Sequence, residues 1–171
     1  MPLLRFDVLE GRSADQITTL LDAAHRAVLS AFGVPERDRY QIVHQHPSSH
    51  FVVQDTGLEI TRSDNVVIVS VTSRPRTREE KEAFYVALCR ELQASCGIEP
   101  SDVMVNIVSN ADEDWSFGHG RAQFLTGELG PVAPSSRSAR YLQSALNRRS
   151  RQRAIKPARN VTERVVVDEF A

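Results

Sequence analysis

Val66-Val67-Ile68-Val69-Ser70-Val71-Thr72-Ser73-Arg74-Pro75-Arg76-Thr77-Arg78-Glu79-Glu80 reads as a strand, a short basic loop and the first turn of a helix. Val66 to Val71 are apolar almost throughout, the pattern of a strand covered on both faces. Thr77-x-x-Glu80 is a capping box, in which hydroxyl and carboxylate each satisfy a helix N–H that has no partner in the helix. Phe84, Tyr85, Leu88, Cys89, Leu92 and Cys96 then set one apolar face along the helix. Gly97 stands where a left-handed C-terminal cap belongs, and Val103 to Val108 form a further strand.

The same grammar occurs 64 residues earlier. Arg12 aligns with Arg76, Ala23 with Ala87, Arg26 with Arg90, Gly33 with Gly97 and Asp38 with Asp102. Leu4, Phe6 and Val8 alternate with Arg5 and Asp7, which predicts a half-buried strand. Ser13-x-x-Gln16 is a second capping box, and Ile17, Leu20, Leu21, Ala24, Val28, Leu29 and Phe32 form the apolar face behind it. A strand from Tyr40 to His44 closes the first half. The chain is therefore predicted to be α+β, a tandem β-α-β repeat. Its four-stranded, mostly parallel-paired sheet carries two helices on one face. The other face would need cover, which oligomerisation supplies. Phe51 to Ile60, with the turn signal Asp55-Thr56-Gly57, is predicted to be a short hairpin linking the halves.

Composition sets the class. Of 171 residues, 41% are hydrophobic and 25% charged, the make-up of an ordinary globular protein. No apolar run approaches the roughly 20 residues of a bilayer span, and no secretory signal pattern opens the chain. A cytoplasmic location is the expectation. Cys89 and Cys96 lie two helical turns apart, about 10 Å along the axis, too far for a disulfide. The net charge of −1 conceals an asymmetry. Residues 131–171 hold nine Lys and Arg against three Asp and Glu, or +6, which leaves residues 1–130 at −7. Two regions are expected: a catalytic domain over 1–130 and a basic C-terminal extension over 131–171. In the extension, Ser138 to Arg149 is a possible helix and Val165-Val166-Val167 is strand-like. That tail could wrap a neighbouring subunit, bind polyanions or stay disordered.

Several residues could do chemistry. The small Pro2 after the initiator Met permits removal of Met1, which would leave a secondary amine. Free α-amino groups titrate near pKa 7.7–8.0, so such an amine serves as acid, base or nucleophile near neutrality. With Met1 attached, the same nitrogen is an amide and cannot ionise. Arg74 and Arg76 sit in a loop after a strand C-terminus, a common ligand position in α/β sheets. Paired guanidinium groups there can grip a carboxylate, or they are simply solvated. The first half offers only Arg12 at that place, which points to a specialised site in the second half. Asp38 precedes a strand, and its counterpart Asp102 argues for a turn role shared by both halves. Asp114-Trp115-Ser116-Phe117-Gly118-His119-Gly120-Arg121-Ala122-Gln123-Phe124-Leu125 concentrates the single Trp and two of seven Phe in a glycine-punctuated loop. It could line an apolar cavity or seal a subunit contact. His44 and His46 share a strand face without further evident metal ligands, and His25 reads as a packed histidine. No P-loop, Rossmann glycine pattern or zinc motif is present.

Together, terminal Pro2, Asp38 within Val34-Pro35-Glu36-Arg37-Asp38-Arg39-Tyr40, Arg74-Pro75-Arg76 and the Trp115-Ser116-Phe117-Gly118 loop resemble the malonate semialdehyde decarboxylases of the tautomerase superfamily, the N-terminal-proline enzymes. The resemblance spans about residues 2–130. It implies a homotrimer with sites at subunit contacts and no metal or organic cofactor. It also implies decarboxylation of malonate semialdehyde to acetaldehyde and CO2, with a side activity hydrating acetylenic 2-oxo acids. By that likeness, Pro2 is a cationic acid and Arg74 and Arg76 hold the substrate carboxylate. Asp38 orients substrate or water and stabilises the charged proline, while Trp115, Phe117, Phe124 and Leu129 form an apolar wall.

Two other readings stay open. One is a tautomerase or 3-haloacrylate dehalogenase/hydratase of the same superfamily, with neutral Pro2 as base. A dehalogenase would want a further carboxylate, for which Glu113 and Asp114 are near candidates. The other is a non-enzymatic oligomeric binding module that uses the basic tail. No nucleic-acid motif or membrane segment supports a partner beyond a small 3-oxo acid and further copies of the chain.

Overall fold

A computed structural model describes residues 1–129. The basic extension, with its expected helix and strand, lies outside the described residues. Strand β1 (Pro2–Leu9) leads into helix α1 (Ala14–Phe32) and strand β2 (Tyr40–His46). Strand β3 (Val67–Ser73), helix α2 (Arg78–Cys96) and strand β4 (Val103–Ser109) repeat the unit. The sheet runs β2-β1-β3-β4. Within each unit the two strands are parallel, and the units join through the antiparallel pair β1–β3.

Both helices begin and end as the sequence dictates. Ser13 and Thr77 accept the backbone N–H of Gln16 and Glu80, whose side chains reach back to the cap N–H. Gly33 and Gly97 end the helices at φ 60° and 65°, a left-handed conformation glycine adopts at no steric cost. Leu4, Phe6 and Val8 of β1 and Val67, Val69 and Val71 of β3 point to one side, where Leu20, Ala24, Val28, Phe84, Leu88 and Leu92 cover them. Each such large side chain contributes about 1.5–3 kcal/mol on burial. Phe32 and Phe84 stack at 4.9 Å where the two helices meet.

Three expectations are corrected. Strand β3 is not enclosed on both sides: Ile68, Ser70 and Thr72 are only half-buried. Val67, Val69 and Val71 share the buried face, but apolar Ile68 on the other face gives the run a uniform look that hides the alternation the pleat imposes. Residues 51–66 form no hairpin. The Asp55-Thr56-Gly57 turn exists, with Asp55 accepting the N–H of Leu58 at 3.1 Å, but no flanking strands pair around it. Tyr85 faces outward, 38% exposed. His25 is buried and its ring Nε2 meets the Glu36 carbonyl at 2.7 Å. Cys89 and Cys96 are free thiols. No helix among the described residues is long and apolar enough to cross a membrane.

Candidate active site

Strand register gathers the site. β1 pairs with β3 so that Pro2 lies opposite Ser73, one residue before Arg74. β1 pairs with β2 so that Leu3 lies opposite Tyr40, which sets Asp38 beside the chain start. Three segments far apart in sequence thus meet at one sheet end.

Pro2 is buried at the head of β1, its nitrogen in the peptide bond with Met1. The amine in this structure belongs to Met1 and stands in for the one Pro2 would carry after removal of Met1. It lies 3.4 Å from Asp38 Oδ2. Burial holds this amine below its ordinary value of 8.0; the carboxylate of Asp38 opposes that fall, and the cations of Arg76 and Arg74 add to it. The other carboxylate oxygen, Asp38 Oδ1, is buried without a hydrogen-bond partner among the described residues. Such an oxygen costs free energy unless something else approaches it.

The repeat supplies an internal control. Asp38 and Asp102 make the same turn, each N–H bonding a carbonyl three residues back at 2.9 Å. Asp102 then spends both oxygens on Ser63, accepting its N–H and its hydroxyl at 2.6 Å each. The shared turn is therefore real, but only Asp38 keeps an oxygen open. Arg12 and Arg76 diverge in the same manner. Arg12 donates to the backbone carbonyls of Leu9 and Asn65 at 3.1 and 3.0 Å, beside a cleft of about 440 Å³ that also includes Glu10 and Asp64. The first half thus has an acid where the second has Arg74, and a continuous chain where the second has a terminal amine.

Arg76 Nε donates to Ser73 Oγ at 3.1 Å and Nη1 to the Phe32 carbonyl at 3.3 Å, with the guanidinium 4.6 Å over the Phe32 ring. Burial lowers its pKa, yet an arginine remains cationic. Arg74 forms an ion pair with Asp112, its Nη2 donating at 2.9 Å and its Nε facing the other oxygen. Its guanidinium lies 4.5 Å over Phe124. From there the aromatic loop runs on continuously. Phe124 meets Phe117 edge-on at 5.5 Å, Phe117 stacks on Trp115 at 5.6 Å, and Tyr40 touches Phe117 at 6.0 Å. Trp115 donates its indole N–H to Asn110 Oδ1 at 2.8 Å.

Of the expected residues, Pro2, Asp38, Arg74, Arg76, Trp115, Phe117 and Phe124 form one connected cluster. Leu129 joins it only through its backbone, donating to the Gln123 carbonyl at 3.2 Å, and its side chain is 40% exposed. Sequence reasoning missed Asp112. Within the acidic run it singled out Glu113 and Asp114, but Asp114 accepts the Ala111 N–H at 2.7 Å. It also missed Gln123, 8% exposed, whose amide accepts the Phe117 N–H at 2.9 Å and donates to the Gly118 carbonyl at 2.7 Å. The one available signal was a lone Gln among glycine and aromatic residues. His44 and His46 lie 3.6 and 2.7 Å from the Asp7 carboxylate, and no group among the described residues is placed to hold a metal ion.

Known proteins resemble this arrangement. Two family models described as tautomerase enzymes match residues 38–118 and 2–60. Two Bacillus subtilis (strain 168) proteins are similar. The probable tautomerase YrdN is 54% identical over 75% of this chain and 100% of its own length. The probable tautomerase YusQ is 32% identical over 73% of this chain and 99% of its own. Among solved structures, a malonate semialdehyde decarboxylase with decarboxylase and hydratase activities is 55% identical, TM-score 0.73, covering 74% of this chain and 98% of that one. A second malonate semialdehyde decarboxylase, inhibited by 3-bromopropiolate, is 40% identical, TM-score 0.72, covering 76% and 99%. A fused 4-OT forming a symmetric trimer is 25% identical, TM-score 0.61, covering 73% and 98%. On a 54% identity that spans three quarters of its length, the chain belongs to the tautomerase superfamily.

Proposed function

We propose that the protein decarboxylates malonate semialdehyde, or a close 3-oxo acid, without a cofactor, using Pro2 as a cationic acid once Met1 is removed. The observation that carries this reading is the chain-start amine 3.4 Å from Asp38 and under the influence of Arg76 and Arg74. Arg74 and Arg76 hold the substrate carboxylate turned out of the carbonyl plane, so that the breaking C–C bond aligns with the π system. The electron pair of that bond passes to the carbon next to the aldehyde, and negative charge develops on the aldehyde oxygen. The prolyl ammonium donates a hydrogen bond to that oxygen as the charge grows, the arrangement that stabilises a developing oxyanion. Neutral CO2 leaves against the wall of Trp115, Phe117 and Phe124, with Leu129 at its rim. Uptake of one proton at carbon gives acetaldehyde. Asp38 keeps the amine charged and offers its open oxygen to substrate or water. The same polarising groups would hydrate acetylenic 2-oxo acids. Residues 1–130 would make up the catalytic domain, with residues 131–171 an extension to it. A homotrimer, as the fused 4-OT relative forms, would cover the half-buried sheet face.

The test follows acetaldehyde release from malonate semialdehyde in wild type, Pro2→Ala and Arg76→Ala. Unchanged turnover in either variant rejects the assigned roles. A second reading draws on the burial and the arginine cations that disfavour the charged Met1 amine at this place, and on the two probable tautomerases: a neutral Pro2 would act as base on an enolised 2-oxo acid. NMR titration of labelled Pro2 separates the readings. Ammonium at neutral pH supports the acid, neutral amine the base.

A further inference from the structure

The two arginines are held alike but charged differently. Each rests on a phenyl ring, and each directs Nε into the protein. The groups that take the hydrogen bonds of Arg76 are neutral, a hydroxyl and a backbone carbonyl; the carboxylates of Glu80 and Asp38 act on it from a distance, without an ion pair among the described residues. Arg74 instead faces the full carboxylate of Asp112 across two of its nitrogens. Arg74 therefore offers a substrate hydrogen bonds from its remaining edge but little net charge.

That difference matters for the reaction proposed above, on which this inference rests. A carboxylate that departs as CO2 loses its charge in the transition state. Cations gripping it stabilise the ground state more than the transition state, and so lower KM at the expense of kcat. Two uncompensated guanidinium groups would hold the substrate in its unreacted form.

We propose that Asp112 is a specificity-determining positioning residue that neutralises Arg74, so that the substrate carboxylate is oriented by two arginines but held by the charge of one. Asp112 touches Arg74, not the substrate, and acts through it. The arrangement weakens ground-state binding while keeping alignment. It also favours carboxylates that lose charge during reaction over dianions that keep a second one.

The test uses Asp112→Asn and Asp112→Ser in the full chain, with 3-hydroxypropionate as a probe that lacks the carbonyl needed to lose CO2. A carboxylate on the free edge of Arg74 would lie about 7 Å from that of Asp112. In a half-exposed site, that repulsion corresponds to roughly three- to tenfold in affinity. Calorimetry should show 3-hydroxypropionate binding tighter by that factor in both variants, and KM and kcat for malonate semialdehyde should fall together. The unmasked Arg74 cation should move the loss of activity at high pH to lower pH, because Arg74 disfavours the ammonium. Asp112→Glu should restore all three.

If Asp112 only props Arg74 in place, the variants instead bind 3-hydroxypropionate more weakly, KM rises and the pH limb moves upward. That result overturns the proposal. In an Arg74→Ala background no guanidinium holds the probe carboxylate near Asp112, so Asp112→Asn should gain less than it does beside Arg74, and an undiminished gain also overturns the proposal. Should wild type fail to turn over malonate semialdehyde, the decarboxylase reading falls while the probe affinities still decide the role of Asp112.

Discussion

Gln123 gives the sharpest test of how the aromatic wall is built. Its amide is buried and closes two hydrogen bonds across the loop, to the Phe117 N–H at 2.9 Å and the Gly118 carbonyl at 2.7 Å. Gln123→Leu keeps the volume and removes both partners. A polar group left unpaired on burial costs about 1–3 kcal/mol. Phe117 is only half-buried and water can reach part of that cost, so the pair should amount to about 2–3 kcal/mol. At 1.4 kcal/mol per factor of ten, the ratio of closed to open loop falls roughly 30- to 150-fold. Activity should fall by whatever part of that factor exceeds the loop's original closure free energy, hence at most about 150-fold. Trp115 is the only tryptophan in the chain and stacks on Phe117, so its emission reports the loop directly. A red shift and stronger acrylamide quenching should accompany the loss of activity. Gln123→Glu, which retains an acceptor but sets a carboxylate against the Gly118 carbonyl, should behave at least as badly. Wild-type emission together with wild-type turnover in Gln123→Leu would refute the claim that this amide holds the wall.

Other outcomes follow from the same geometry. If the prolyl ammonium is the active form, kcat/KM is full at low pH and declines as pH rises through the titration of that amine. Asp38→Asn removes the carboxylate that favours the charged amine, so the decline should move to lower pH in the pH–rate profile. In the core, Leu88 has no exposed surface, and Leu88→Ala should cost about 2–5 kcal/mol in urea unfolding. Val86→Ala, on the exposed side of the same helix at 69% exposure, should stay within about 0.5 kcal/mol of wild type.

Much of the fold was legible because its signals are local. Ser13-x-x-Gln16 and Thr77-x-x-Glu80 each fix a helix start through contacts three residues apart, and Gly33 and Gly97 fix the ends through their own φ angles. The hairpin over Phe51–Ile60 failed as a prediction because a turn signal names a bend without naming a partner for its flanks. Asp55-Thr56-Gly57 makes its turn, and nothing pairs beside it.

The site divides along the same line. Sequence by itself determined which groups were candidates: Pro2 as a latent amine, the Arg74–Arg76 pair, Asp38 and the aromatic loop all follow from residue type, spacing and the asymmetry between the halves. Only the tertiary structure decided which of two equivalent aspartates keeps an oxygen free, since Asp38 and Asp102 share their local turn and differ in whether Ser63 is there to meet them. It alone set Asp112 against Arg74 across 38 residues and Pro2 opposite Ser73 across the antiparallel join of the halves. The physical reason is that charge and hydrogen-bond partnership depend on distance in space. Strand register fixes that distance, and no single segment of the chain encodes the register.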